Sequence, residues 1–237
     1  MAIYRLFEDP VFPDPDEAEP DGLLAVGGDL SVTRLLTAYA NGIFPWYAED
    51  SPILWWSTSP RLILIPSELH VPKSLRRTLN RGCYTFTLDR DFRSVIAACA
   101  ETPRPDQEGT WLVPEMVEAY TLLHDLGYAH SVEAWCGDEL VGGLYGISIG
   151  SAFFGESMFF RCPDASKAAF VTLVRQLERW GFDFVDCQQT TDHLLRFGAR
   201  EVPRYRFREM LDKAVRKPTR EGHWNFCEDA ADAPSRN

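Results

Sequence analysis

Two carboxylates stand inside apolar chain. Glu156 interrupts SAFFGESMFF at 151–160, and Asp186 follows FDFV in FDFVDCQ at 182–188. A charge on a segment buried on at least one face costs several kcal/mol unless it is paired or stays wet. Each is therefore either a structural ion pair or the centre of a site. For Glu156 the structural partner would be a base such as Lys167 or Arg161. Small neighbours, Gly155, Ser157 and Cys187, would let a ligand approach closely. If the strand continues past Asp186, Gln188 shares its face, because strand side chains alternate with period two. A carboxylate and an amide on one face can accept from an amine and donate to a carbonyl.

Other chemistries have less support. No motif supplies a base for Cys187 as a nucleophile. The six cysteines form no CxxC pair and HExxH is absent, so free thiols and no metal are expected. His124, His130 and His193 each stand alone on helix or strand patterns. Gly142 and Gly143 continue as strand and make no phosphate loop. A glycosidase would use paired carboxylates, but FFGESMFF does not fit a polar sugar cleft. Trp55 and Trp56 read as packing. Trp46 and Trp111 lie at loop-to-element transitions, where they either pack or stack on a base for about 1–3 kcal/mol.

The elements that must position these groups follow from periodicity. Residues 31–41 read as a helix with Ser31 as N-cap and Gly42 just past its end. PILWW and RLILIP read as strands, and HVPKSLRRTLNRG as a short basic helix. CYTFTLD is a strand, DFRSVIAACAE a helix, and the polar loop 101–110 delivers Trp111 to the helix LVPEMVEAYTLLHDLG. Three strands come next, AHSVEAW, ELVGGLYGISI and SAFFGESMFF. After them come the amphipathic helix DASKAAFVTLVRQLERWG, the buried strand FDFVDCQ, the short helix TTDHLLRFG and strand-like AREVPRY. This order predicts an α+β protein: a small N-terminal domain over 1–60 and a second domain with one mixed sheet over 61–237, its tail loosely ordered from about 221. The run strand, strand, strand, helix, strand, helix, strand is the order found in the second half of acetyl-CoA-dependent N-acetyltransferases.

The net charge of −11 argues at first against nucleic acid, but its distribution matters more. Residues 8–21 carry seven acids and no base, and the tail 228–237 carries three acids and one base. Against a nearly neutral body, Lys73, Arg76, Arg77 and Arg81 stand in PKSLRRTLNR without an acid. A second basic run covers 204–220. Such runs either hold a phosphate backbone or form solvated helix faces. No apolar stretch approaches the roughly 18 residues of a membrane span. The N-terminus lacks the order of a signal peptide. A soluble, intracellular protein is expected.

The segments DGLLAVGGDLS, GIFPWY, PILWWS, TWL, AHSVEAW, LVGGLYG, GESMF, ASKAA, VDCQ and HLLRFGA occur in this order. Together they resemble the leucyl/phenylalanyl-tRNA protein transferase family from about residue 20 to residue 210. The resemblance implies a cytoplasmic bacterial enzyme of the N-end rule pathway. It would move Leu or Phe from Leu-tRNA or Phe-tRNA to the N-terminal Arg or Lys of a protein, marking it for degradation. It also implies an N-acetyltransferase-like second domain with neither CoA nor metal. MFFRCPDASK at 158–167 agrees, since it lacks a Gly-rich pyrophosphate loop.

Carried over by motif, Asp186 and Gln188 match the family's catalytic pair, and Glu156 its other essential carboxylate. Trp46 and Trp111 match the residues that hold the 3′-terminal adenosine. The pocket for the Leu or Phe side chain maps to Leu144, Phe153, Met158, Phe170, Leu173, Leu177 and Val185. The basic helix with Lys73, Arg76, Arg77 and Arg81 matches the family's contact to the tRNA backbone. Three rival readings remain: a CoA-dependent N-acyltransferase, an enzyme moving an amino acid from tRNA to a peptidoglycan precursor, and a non-catalytic RNA-binding adaptor.

Overall fold

The computed structural model describes residues 3–102 and 112–226. Trp111 therefore lies outside the described residues. Two sheets divide the strands. The first joins β1 (Tyr4–Leu6), β2 (Leu23–Gly27), β3 (Phe44–Pro45) and β4 (Leu54–Trp56) in the order β1-β2-β4-β3. Helix α1 (Val32–Ala40) belongs to this part of the chain. Ser31 Oγ accepts from the Arg34 N–H at 3.4 Å, and Gly42 turns the chain at φ +73°. A Cβ on Gly42 would stand 2.7 Å from the Phe207 ring, so that turn also needs the missing side chain.

The second sheet has seven strands: β5 (Arg61–Leu64), β6 (Thr85–Leu88), β7 (Ala129–Cys136), β8 (Glu139–Ile149), β9 (Ala152–Phe160), β10 (Phe184–Gln188) and β11 (Arg200–Val202). Their order is β11-β5-β10-β9-β8-β7-β6. Helices α2 (Lys73–Asn80), α3 (Phe92–Glu101), α4 (Pro114–Asp125), α5 (Ala165–Arg179), α6 (Asp192–Leu195) and α7 (Arg204–Val215) complete the fold. Within this sheet neighbouring strands are antiparallel except β9 and β10, which α5 joins by a crossover. This is the α+β arrangement with a mixed sheet that the order of elements predicts.

Both faces of the large sheet are covered, because its strands carry apolar side chains on both sides. One face buries Phe92, Tyr120, Phe154 and Phe184, together with Tyr39 from α1. The other buries Leu62, Leu144, Phe153 and Val185 beneath Phe170 and Leu173 of α5. Alternation along β10 therefore sends Phe184 and Val185 to opposite cores.

The N-terminal segment is tied down: Tyr4–Leu6 pairs in parallel with Ala25–Gly27, and Arg208 Nη1 donates to Asp14 at 2.7 Å and Asp16 at 2.6 Å. The basic run from 204 is largely neutralised in α7 and the turn beyond it. Arg206 pairs with Glu209, Arg216 with Asp212, and Lys217 with Asp183. Within the tail expected to loosen from about 221, Trp224 is 2% exposed and stacks on His130 at 3.6 Å between ring centres. Burying a ring of that size outweighs the entropy of a short segment. Of strand-like AREVPRY only Arg200–Val202 pairs as a strand, since Pro203 caps α7.

Among the described residues no helix is long and apolar enough to cross a membrane. Asp89, His124 and His223 place one potential ligand atom each within 4.8 Å of one another, and none of the three lines the cavity that holds Glu156. The Asp89 carboxylate already accepts from His130, the Ser131 N–H and the Trp224 N–H, so these contacts fasten the C-terminal segment to β7.

Candidate active site

The site arises where two neighbouring strands stop pairing. β9 and β10 run in register from Ala152 opposite Phe184 to Phe154 opposite Asp186, and no further. Each strand then carries an irregularity against its other neighbour. In β9, Tyr145 faces Ser157 and Gly146 faces Gly155, which leaves Glu156 as the extra residue. In β10, Ile63 faces Asp186 and Leu62 faces Gln188, which leaves Cys187 as the extra residue. Bulges of this kind bend a strand and re-aim its side chains. Gln188 itself adopts φ +60°, a conformation rare for a residue with a side chain.

Between the diverging strands lies a cavity of about 370 Å³, within the range of small-molecule sites. Its walls are apolar and include Leu144, Phe153, Met158, Phe170 and Val185, and its polar groups include Glu156 and Gln188. Phe44 of β3 and the adjacent Trp46 line it too, as do Cys187 and His193. Two positions expected in the wall do not line it. Leu173 and Leu177 are 1% and 0% exposed in the core beneath α5. They follow Phe170 by three and seven residues, which carries them roughly 4.5 and 10 Å along the helix and past the cavity.

Among the described residues no base is paired with Glu156. Lys167 pairs with Asp164 at 2.9 Å and Arg161 donates to the Leu140 carbonyl at 3.2 Å, so neither structural ion pair expected for Glu156 forms. Gln188 Nε2 instead donates to Glu156 Oε1 at 2.7 Å, and the Tyr120 hydroxyl donates to Oε2 at 3.2 Å. Behind it the Tyr39 and Tyr120 hydroxyls meet at 2.6 Å. Burial pushes the Glu156 carboxyl up to about 7, opposed by hydrogen bonds from Tyr39, Gln188 and Tyr120 and assisted by the charge of Asp186. Burial raises both tyrosines as well, which keeps them protonated donors.

Asp186 occupies a different environment. It is 0% exposed and does not line the cavity. Arg61 grips it with Nε to Oδ1 at 2.9 Å and Nη2 to Oδ2 at 2.7 Å. The guanidinium carbon lies 4.9 Å from the centre of the Phe44 ring and 4.7 Å from that of Phe207. The same Oδ1 accepts the Gln188 backbone N–H at 2.9 Å. Asp186 and Gln188 therefore do not share a face, because the bulge at Cys187 breaks the alternation. Burial also raises the Cys187 thiol, with the charge of Asp186 adding to it, so it stays protonated and is no nucleophile.

Arg61, Tyr39 and Tyr120 were not singled out from the sequence. Arg61 carries the signal that marked Glu156, a charge heading the apolar strand RLIL. The tyrosines follow the buried Leu35 and Met116 by four residues, which places them on inward helix faces. Gly155 inside a strand is the sign by which the β9 bulge could have been found.

The pH dependence of stability follows from Glu156. Its folded value exceeds the ordinary 4.5, so its contribution is full below about 4.5 and is lost as pH rises through about 7. Urea unfolding from pH 5 to 8 is expected to show the protein losing up to about 3 kcal/mol more than Glu156→Gln does. Parallel curves would show that the carboxyl titrates at its ordinary value.

Comparison with known proteins adds to this geometry. Residues 63–212 match the family model described as leucyl/phenylalanyl-tRNA protein transferase, and residues 28–59 match the model of its N-terminal domain. The leucyl/phenylalanyl-tRNA protein transferase of Anaeromyxobacter sp. (strain Fw109-5) is 61% identical over 235 residues, covering 99% of each chain. That of Oleidesulfovibrio alaskensis is 60% identical over 231 residues, 95% of this chain and 93% of its own. Among solved structures, L-PGS from Bacillus licheniformis is 11% identical with a TM-score of 0.40, over 71% of this chain and 53% of that one, a likeness too slight to argue from.

Proposed function

The chain belongs to the leucyl/phenylalanyl-tRNA protein transferase family, and from that premise we propose that the cavity between β9 and β10 holds the leucyl or phenylalanyl group of an aminoacyl-tRNA while it passes to the N-terminal Arg or Lys of a protein. The observation that carries this reading is the Glu156–Gln188 pair set beside the apolar wall of the cavity. Leu144, Phe153, Met158, Phe170 and Val185 suit an uncharged side chain, and one methylene of fit is worth about 1–3 kcal/mol of discrimination. Against these wall residues a charged aminoacyl side chain would lose hydration without gaining a partner.

The donor is an activated ester and the acceptor an α-amine with a free pKa near 8. The reaction forms the amide C–N bond and breaks the ester C–O bond to the ribose. The amine proton leaves and the ribose hydroxyl regains one. Because Gln188 Nε2 donates to Glu156, its amide oxygen is left to accept an amine N–H and aim the lone pair at the ester carbon. Glu156 holds the cationic group of the acceptor, and a carboxyl near 7 exchanges a proton in the range where the amine must lose one. Asp186 contributes as a positioning residue by holding the Gln188 backbone. Trp46, with Trp111, takes the terminal adenosine.

Lys73, Arg76 and Arg77 on α2 and Arg81 at its C-cap are all exposed and suit the phosphates of the acceptor stem. Such an enzyme works in the cytoplasm, where aminoacyl-tRNA is made, and marks its products for degradation. The test is transfer of labelled Leu from Leu-tRNA to a peptide beginning with Arg, beside one beginning with Ala. Transfer to the Arg peptide alone supports the reading. Transfer to neither by folded protein overturns it, and CoA binding by calorimetry or tRNA binding indifferent to aminoacylation would then separate the rivals.

A further inference from the structure

Phe160 ends β9 with 65% of its surface exposed, whereas Phe153, Phe154 and Phe159 of the same strand are 2% exposed or less. A single exposed ring needs no explanation by itself; its surroundings supply one. The register from Ser157 opposite Tyr145 to Phe160 opposite Gly142 is unbroken, so Phe160 shares the face of Met158, which lines the cavity. The two are roughly 7 Å apart along the strand. Gly142, directly across, has no side chain to cover the ring, and α5 packs so closely there that a Cβ would meet that of Ala165 at 2.6 Å.

On its other side Phe160 leads into the turn 161–164, which is tied to the basic helix and the strand after it. Thr78 Oγ1 of α2 donates to Asp164 Oδ2 at 3.3 Å, and the Tyr84 hydroxyl donates to the Pro163 carbonyl at 2.8 Å. Phe160 thus belongs to the strand that lines the cavity and is followed by a short turn hydrogen-bonded to the helix that carries the exposed cations. A strand of RNA held by its phosphates on α2, with its end in the cavity, has unpaired bases to place in between.

We propose that Phe160 is a stacking platform for a base of the single-stranded 3′ end of tRNA, upstream of the terminal adenosine. This rests on the aminoacyl-tRNA reading of the cavity and adds a second point at which the donor is held. Every base has a π-face, so the contact adds affinity without selecting sequence. It acts on binding of the donor and leaves the bond-making step alone.

Transfer kinetics with two donors test it: full Leu-tRNA, and leucyl-adenosine, which lacks the preceding nucleotides. Phe160→Ala should raise KM for Leu-tRNA roughly tenfold with kcat kept, and leave KM for leucyl-adenosine unchanged. Phe160→Trp should restore the wild-type value. An unchanged KM for Leu-tRNA, an equal rise for both donors, or no rescue by Trp would each overturn the proposal. Quenching of 2-aminopurine placed next to the terminal adenosine of an uncharged acceptor hairpin reads the same contact without transfer. If the wild-type protein transfers from neither donor, the aminoacyl-transfer reading fails. The platform then stands if Phe160→Ala abolishes the quenching and falls if the quenching persists.

Discussion

Glu156→Gln is expected to lower kcat/KM for an Arg-starting acceptor peptide about a hundredfold at saturating donor, while the protein folds as before. The substitution preserves shape and removes charge. Gln188 Nε2 can still donate to the new amide oxygen, and the Tyr120 hydroxyl can turn to accept from the new amide nitrogen while donating to Tyr39. A charge-assisted hydrogen bond to the acceptor cation is lost, for about 1.5–3 kcal/mol. Loss of the proton exchange near neutrality adds to it. KM for Leu-tRNA should move little, because the aminoacyl side chain is held by the apolar wall. A peptide KM and turnover that both match wild type would remove Glu156 from the chemistry.

Arg61→Met should cost about 3–5 kcal/mol in urea unfolding, since it leaves the fully buried Asp186 carboxylate without its cation. The more informative variant is Arg61→Met with Asp186→Leu. Removing both charges takes away the unpaired group, so stability should recover by several kcal/mol. Activity should stay low, because the Gln188 N–H loses the acceptor that holds this residue at φ +60°. Recovery of stability and turnover together would mean that Asp186 serves the fold alone.

Much of this protein could be read from its residues. The strands and helices of the large domain follow from hydrophobic period, and Ser31 and Gly42 bound α1 as expected. The basic face of α2 was legible because four cations without an acid need only helical spacing to reach solvent. Glu156 stood out because a charge in an apolar strand is costly wherever the strand lies. Five of the seven expected wall residues reached the cavity.

The tertiary structure decided the pairing between distant segments. Whether a base meets an acid depends on register and bulges, which composition does not contain. Arg208 joined Asp14 and Asp16, so one basic run became a clamp for the acidic start. Arg61, 125 residues before Asp186, took that carboxylate away from the cavity. One extra residue in each of β9 and β10 then turned Glu156 and Gln188 toward each other. The sequence by itself determined which groups were available for chemistry, through the cost of leaving a charge unsolvated. The fold decided which of them face the cavity, because a shift of one residue moves a side chain to the other side of a sheet.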